Sequence, residues 1–155
     1  MRRHLIIAAV LWCATRRAGA QTGVSGIRPL AFGTLLPGVA ATVLPTDPNF
    51  SGQFNLTGPN NDYVLLTFSL PSAMTGPGGA TLPLVFGGSS VGYSASSSTG
   101  SETTFDPHTT QQVRLAHNAG GAGTGAVFLG GTASPSVSQR AGSYSATVTL
   151  SATFL

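Results

Sequence analysis

At 155 residues the chain has room for one domain with a sizeable core and too little for two ordinary ones. Its formal charge of +3 comes from four arginines in the first twenty residues; beyond them Arg28, Arg114 and Arg140 face Asp47, Asp62, Glu102 and Asp106, with no lysine, a net charge of −1. Three scattered arginines make no cationic stripe, so neither nucleic acid nor an anionic membrane is an expected partner.

The chain opens on MRRHLIIAAVLWCATRRAGA, with Arg2 and Arg3 at its start, an apolar stretch over residues 5–14 and Ala18-Gly19-Ala20 at its close. That is the pattern of a secretory signal peptide over residues 1–20, cleaved between Ala20 and Gln21. Its apolar stretch falls well short of the roughly 20 residues that span a bilayer, and no later stretch approaches it. No transmembrane segment is therefore expected after cleavage. A twin-arginine signal fits the surroundings of Arg2 and Arg3 poorly, and Cys13 follows bulky Trp12, where a lipidation signal carries a small residue. Cys13 is the sole cysteine and leaves with the leader, so no disulfide is expected and packing must hold the exported domain. The expectation is a secreted protein, periplasmic or at the cell surface, with residues 21–155 as one domain.

That segment holds 20 of the 21 glycines and all ten prolines, near the roughly 25–30% that accompanies disorder. Alternation of apolar and polar residues between turn clusters argues instead for short strands. The first is expected at residues 30–36, ended by Pro37-Gly38, and ATVLP supplies a second. GQFNLTG puts Phe54 and Leu56 on one face, and YVLLTFSLP puts Val64, Leu66, Phe68 and Leu70 on one face; Tyr63 and Leu65 make its other face partly apolar, as in a central strand. TGPGG is a loop. In ATLPLVFGG, Leu82, Leu84 and Phe86 point inward, and Pro83, which lacks an amide donor, suggests an edge or a bulge. The polar run 89–110 is expected to be a long loop with at most a short strand. QQVRLAHNA turns Val113 and Leu115 inward and ends near His117; a flexible GGAGTG loop, one strand and a turn follow. From 144 to 154 every second residue is apolar: Tyr144, Ala146, Val148, Leu150, Ala152 and Phe154, separated by serines and threonines. Burial of Tyr144, Val148, Leu150 and Phe154 contributes about 1.5–3 kcal/mol each in gross transfer terms. About seven to nine strands without any 3.6-residue apolar period define an all-β fold, an antiparallel immunoglobulin-like β-sandwich.

The segments LAFGTLLPG (30–38), GQFNLTG (52–58) and VFLGGTASPSVSQRAGSYSATVTLSATF (127–154) resemble, in this order, the bacterial secreted family called domain of unknown function 4402. The closing segment is more distantly similar to spore coat protein U and the archaic chaperone–usher pilin subunits. The resemblance implies an immunoglobulin-like sandwich and no catalytic residues. The pilin likeness implies pairing with other surface or pilus subunits through a donated strand. This chain departs from the pilins in having no cysteine beyond residue 20, and Val24, Ile27 and Leu30 recur at a spacing of three rather than alternating.

Chemistry-bearing patterns are few. GSSVG (88–92) fits the esterase G-x-S-x-G pattern, but no helix follows the serine, as that motif requires. Asp106, Pro107 and His108 could bring one carboxylate near one imidazole, too few ligands for zinc. GGAGTG lacks the lysine and the strand-to-helix context of a phosphate cradle. Asn49-Phe50-Ser51 and Asn55-Leu56-Thr57 match the glycosylation triplet. Tyr93 is the one candidate for an exposed sugar-stacking ring. No catalytic, metal or cofactor-binding residues are therefore expected. The function expected is that of a non-enzymatic structural or adhesive protein of the bacterial surface. The alternatives are a pilus-type subunit paired through the edge that carries Tyr144, Val148, Leu150 and Phe154, and a small ligand- or carbohydrate-binding module built around Tyr93, Asp106 and His108.

Overall fold

The computed structural model describes residues 22–95 and 102–155. The signal peptide expected over residues 1–20, with its Ala20/Gln21 cleavage site, lies outside the described residues. Among those described, the chain forms the expected all-β antiparallel sandwich, with twelve strands rather than seven to nine and one 3₁₀ turn at Pro77–Gly79. The strands are β1 (Gly23–Arg28), β2 (Ala41–Val43), β3 (Gly52–Gly58), β4 (Tyr63–Ser69), β5 (Ala73–Thr75), β6 (Thr81–Val85), β7 (Val91–Ser94), β8 (Thr103–Phe105), β9 (Gln111–Arg114), β10 (Gly123–Leu129), β11 (Gly131–Ala133) and β12 (Thr149–Phe154).

One layer is the sheet β1-β3-β10-β7-β8, the other the sheet β12-β4-β9, and a third sheet, β2-β11-β6-β5, continues from them at one end. The two layers meet over Leu56, Val64, Leu66, Val91, Val113, Leu115, Val127, Leu129 and Leu150, all buried. Phe54 of β3 meets Phe68 of β4 edge to face, with ring centroids 6.3 Å apart, the arrangement the ring quadrupole favours. Phe154 of β12 crosses to β3, where its ring fills the space a side chain at position 58 would need; Gly58 leaves that space open. Tyr93 of β7 spans the layers and donates its hydroxyl to the Arg114 carbonyl at 2.6 Å.

Chain continuity explains the third sheet. β10 and β11 are one run interrupted at Gly130, where a Cβ would collide with the Val43 carbonyl and the Leu44–Pro45 peptide. Backbone can approach this closely only at glycine, so the strand bends there and changes sheet, as corner strands of sandwiches do. β10 itself is buried at six of its seven positions. Phe128, fully buried, belongs to the outer face, beside its cross-strand partner Gly92, over which Pro45 and Glu102 lie.

Several sequence expectations are corrected. Residues 30–36 are not a strand: Gly33 adopts a positive φ of 66° there. The N-terminal strand is instead β1, whose one half-buried valine, Val24, and two glycines give no alternating signal. The polar run contributes two strands, β7 and β8, because the small residues Gly92 and Ser94 pack tightly against β10; residues 96–101 lie outside the described ones. Gly123, Thr124 and Gly125 belong to β10, so the glycine-rich loop is shorter than expected, and its turn centres on Gly120, with φ 77°. Pro83 marks neither a sheet edge nor a bulge. β6 pairs with β5 over residues 81–83 and with β11 over 84–85. The Pro83 carbonyl accepts the Ser134 N–H at 3.0 Å, so its missing N–H would face the same side, past the end of β11 at Ala133. Finally, the last ladder is shorter than its alternation. β12 pairs with β4 only from Thr149↔Ser69 to Phe154↔Val64, and before it Ser145 makes a single bridge to Thr75.

Candidate functional site

The shortened last ladder leaves an opening between the layers. β1 is the edge of one sheet and β12 the edge of the other, and they lie side by side without forming a ladder. The first segment therefore adds to β3 and leaves the β12 edge without a paired strand among the described residues. Between the Thr75/Ser145 bridge and the Thr149/Ser69 pair, three residues (Ala146, Thr147, Val148) face five on the other strand. Pro71 stands in that longer stretch and cannot donate to a ladder. The strands splay apart there.

Under the splayed segment lies an apolar groove in two connected parts. One, of about 650 Å³, runs between residues 30–37 and 139–144. The other, of about 420 Å³, continues beneath residues 144–148 to Phe54, Leu84, Phe86 and Leu129 of the core. Leu30, Phe32, Met74 and Tyr144 line both. Tyr144 is fixed at the junction: its hydroxyl donates to the Arg140 carbonyl at 2.6 Å and accepts from the Gln139 amide at 2.7 Å. A tyrosine bonded to backbone a few residues upstream is the corner that closes many sandwiches. Its ring lies over Gly76, where a Cβ would stand 2.5 Å from the ring.

Backbone groups line both walls. Ala146, Thr147 and Val148 form no main-chain hydrogen bond among the described residues, nor do Phe32, Gly33, Thr34 and Leu35 opposite. A row of N–H and C=O groups without main-chain partners beside an apolar trough is the local chemistry of a strand acceptor. The charges are uneven too. Arg28 and Arg140 line the groove, and none of Asp47, Asp62, Glu102 or Asp106 does. Arg28 is occupied, donating to the Ser51 carbonyl at 2.7 Å, to Ser51 Oγ at 2.9 Å and to the Pro48 carbonyl. Arg140 is exposed and its guanidinium, lying over Gly78, makes no hydrogen bond or ion pair among the described residues.

Of the four residues expected at the pairing edge, Tyr144 and Val148 line the groove, while Leu150 is buried in the core and Phe154 packs across it. The sequence reasoning missed residues 29–37 as the facing wall and Arg140 as its cation. The signal for the latter was available: Arg140 has no acidic residue among the thirty positions before it or the fifteen after it.

The remaining candidates are accounted for by local structure. His108 is engaged locally: its Nε2 bonds the Phe86 carbonyl at 2.9 Å, and its backbone N–H donates to Asp106 Oδ1 at 2.9 Å, closing a turn. Tyr93 is half-buried rather than free for stacking, and burial pushes its phenol up to about 12. Ser90 Oγ accepts the Gly87 N–H at 2.7 Å inside a tight turn, with no helix behind it. His117 is exposed, 3.3 Å from the Asn61 amide. No group of three or more His, Cys, Asp or Glu residues among those described could hold a metal ion, and no described helix is long and apolar enough to cross a membrane.

No known family model matches the chain, and neither a curated protein nor a solved structure matches it significantly.

Proposed function

We propose that the chain is a secreted, non-enzymatic structural or adhesive β-sandwich of the bacterial surface, which joins a neighbour by accepting an extended segment into the groove between residues 30–37 and 139–148. One observation carries this reading: the main-chain groups of Ala146, Thr147 and Val148 stand unpaired beside an apolar trough that reaches the core. An inserted strand adds main-chain hydrogen bonds along one wall, and alternate side chains enter the trough, which is how strand addition combines affinity with selectivity. The resemblance of residues 30–38, 52–58 and 127–154 to a secreted bacterial family, and the leader-like residues 1–20, support the surface location. The pilus-type form of the reading differs only in that the donor is another subunit of the same assembly.

Urea unfolding tests it. A synthetic nine-residue peptide alternating valine and threonine, present at about a hundred times its dissociation constant, stabilises the acceptor by about 2.7 kcal/mol. At an m-value of about 1–3 kcal/mol/M the unfolding midpoint rises by roughly 1–3 M. An unchanged midpoint at saturating peptide contradicts strand acceptance.

A further inference from the structure

We propose that the groove selects an acidic strand: its occupant carries an aspartate or glutamate among the apolar side chains, and Arg140 pairs with it. The inference rests on the strand-accepting reading above and names the chemistry of the partner. It comes from where the charges lie. Beyond the leader the chain bears one more acidic group than basic, yet the residues lining the groove include two of its three arginines and none of its four carboxylates. Arg28 is saturated by Ser51 and Pro48 and serves to tie β1 to the 48–51 loop. These acceptors are neutral and leave its charge in place, but they fix the side chain; Arg140 is the groove cation whose guanidinium donors have no partner among the described residues.

Its setting suits a carboxylate. The guanidinium lies over Gly78, where a Cβ would stand 2.5 Å from Nη1 and glycine leaves the space free. Arg140 shares the lining of the groove with Leu35, Pro37, Leu82, Pro135 and Tyr144. An occupant that covers these surfaces removes water from the cation, and a buried guanidinium without an anion is strongly disfavoured. The same covering strengthens a charge-assisted pair with a carboxylate, which the planar fork of arginine binds through two parallel N–H donors. An uncharged strand therefore leaves a desolvated cation, and an acidic one neutralises it. Selectivity follows from both effects.

The test uses two nine-residue peptides of alternating valine and threonine that differ at one central position, aspartate in one and asparagine in the other, titrated into the chain expressed from its full sequence. The aspartate peptide is expected to bind about tenfold tighter at low salt, with the ratio shrinking as salt rises. In Arg140→Gln the two peptides are expected to bind alike. The carbonyl that holds Tyr144 is backbone and survives this substitution, so the urea midpoint of the variant alone is expected to stay in place. Equal binding of both peptides to the unmodified chain overturns the acidic-strand inference while leaving strand acceptance intact. A preference that survives Arg140→Gln overturns the role of Arg140. If neither peptide binds but dodecanoate does, in an Arg140-dependent way, the occupant is a lipid anion and both the inference and the strand reading fail.

Discussion

Tyr93 illustrates how a single side chain can be misjudged from its neighbours in sequence. Flanked by glycine and serine, it reads as an exposed ring in a polar loop, yet β7 pairs with the most buried strand of the molecule and carries the phenol into the gap between the layers. There it meets the Arg114 carbonyl, and its ring occupies the space above Gly125, where a Cβ would lie 2.5 Å from the hydroxyl. Burial raises its pKa from 10 to about 12, so between these values the unfolded chain loses the phenolic proton while the folded chain keeps it. Fewer protons bound when unfolded means that stability falls as pH rises through this window, and that it is fully present below pH 10. The expected outcome is a loss of stability between pH 10 and 12 that is smaller in Tyr93→Phe. Parallel denaturant titrations of the two proteins at pH 9, 10, 11 and 12 measure it.

The elements with strict alternation were the legible ones. In β4, Val64 and Leu66 are fully buried and Phe68 half-buried, on a strand flanked on both sides as its second apolar face suggested. Leu82, Leu84 and Phe86 are buried as expected, and so is Leu150. Strands rich in small residues were illegible because their signal is not hydrophobicity but closeness of approach: β11 and the start of β10 are glycine, threonine and alanine, and β7 sets Gly92 and Ser94 beside Val91 and Tyr93. The end of the β12 ladder could not be read from alternation either. The apolar rhythm continues unbroken from Phe154 back to Tyr144, whereas pairing stops at Thr149, and the cause is Pro71 and a two-residue excess on the opposite strand. The groove is thus a product of mismatch between two segments distant in sequence, which no single window reveals. Gly130 is the element-scale counterpart, since the corner between β10 and β11 depends on it. Gly130→Ala places a methyl against backbone atoms of residues 43–45 that have no rotamer to yield, and a cost of about 1–3 kcal/mol or more is expected. Gly23→Ala, with nothing within 4 Å of the new methyl, is expected to be near neutral. Equilibrium unfolding of the pair separates a steric corner from a general dislike of alanine.

For the whole molecule, the two layers are closed on each other by Phe54 and Phe68, by Phe154 over Gly58, and by the Tyr93 tie, so the sandwich has a core of its own. The groove opens on the side where β1 and β12 run past each other. β1 contributes little to that closure: it is exposed at four of its six positions and is secured chiefly by its ladder to β3 and by Arg28. The account's central claim is that the splayed segment beside this edge is an acceptor for a strand. Amide hydrogen exchange at Ala146, Thr147 and Val148, followed with and without the valine–threonine peptide carrying a central aspartate, addresses it at the atoms concerned. Exchange at these amides is expected to be fast in the free protein and to slow at alternate positions when the peptide is bound, since an adjoining strand takes up every second N–H of an edge. Fast exchange that persists at all three amides under saturating peptide contradicts the account.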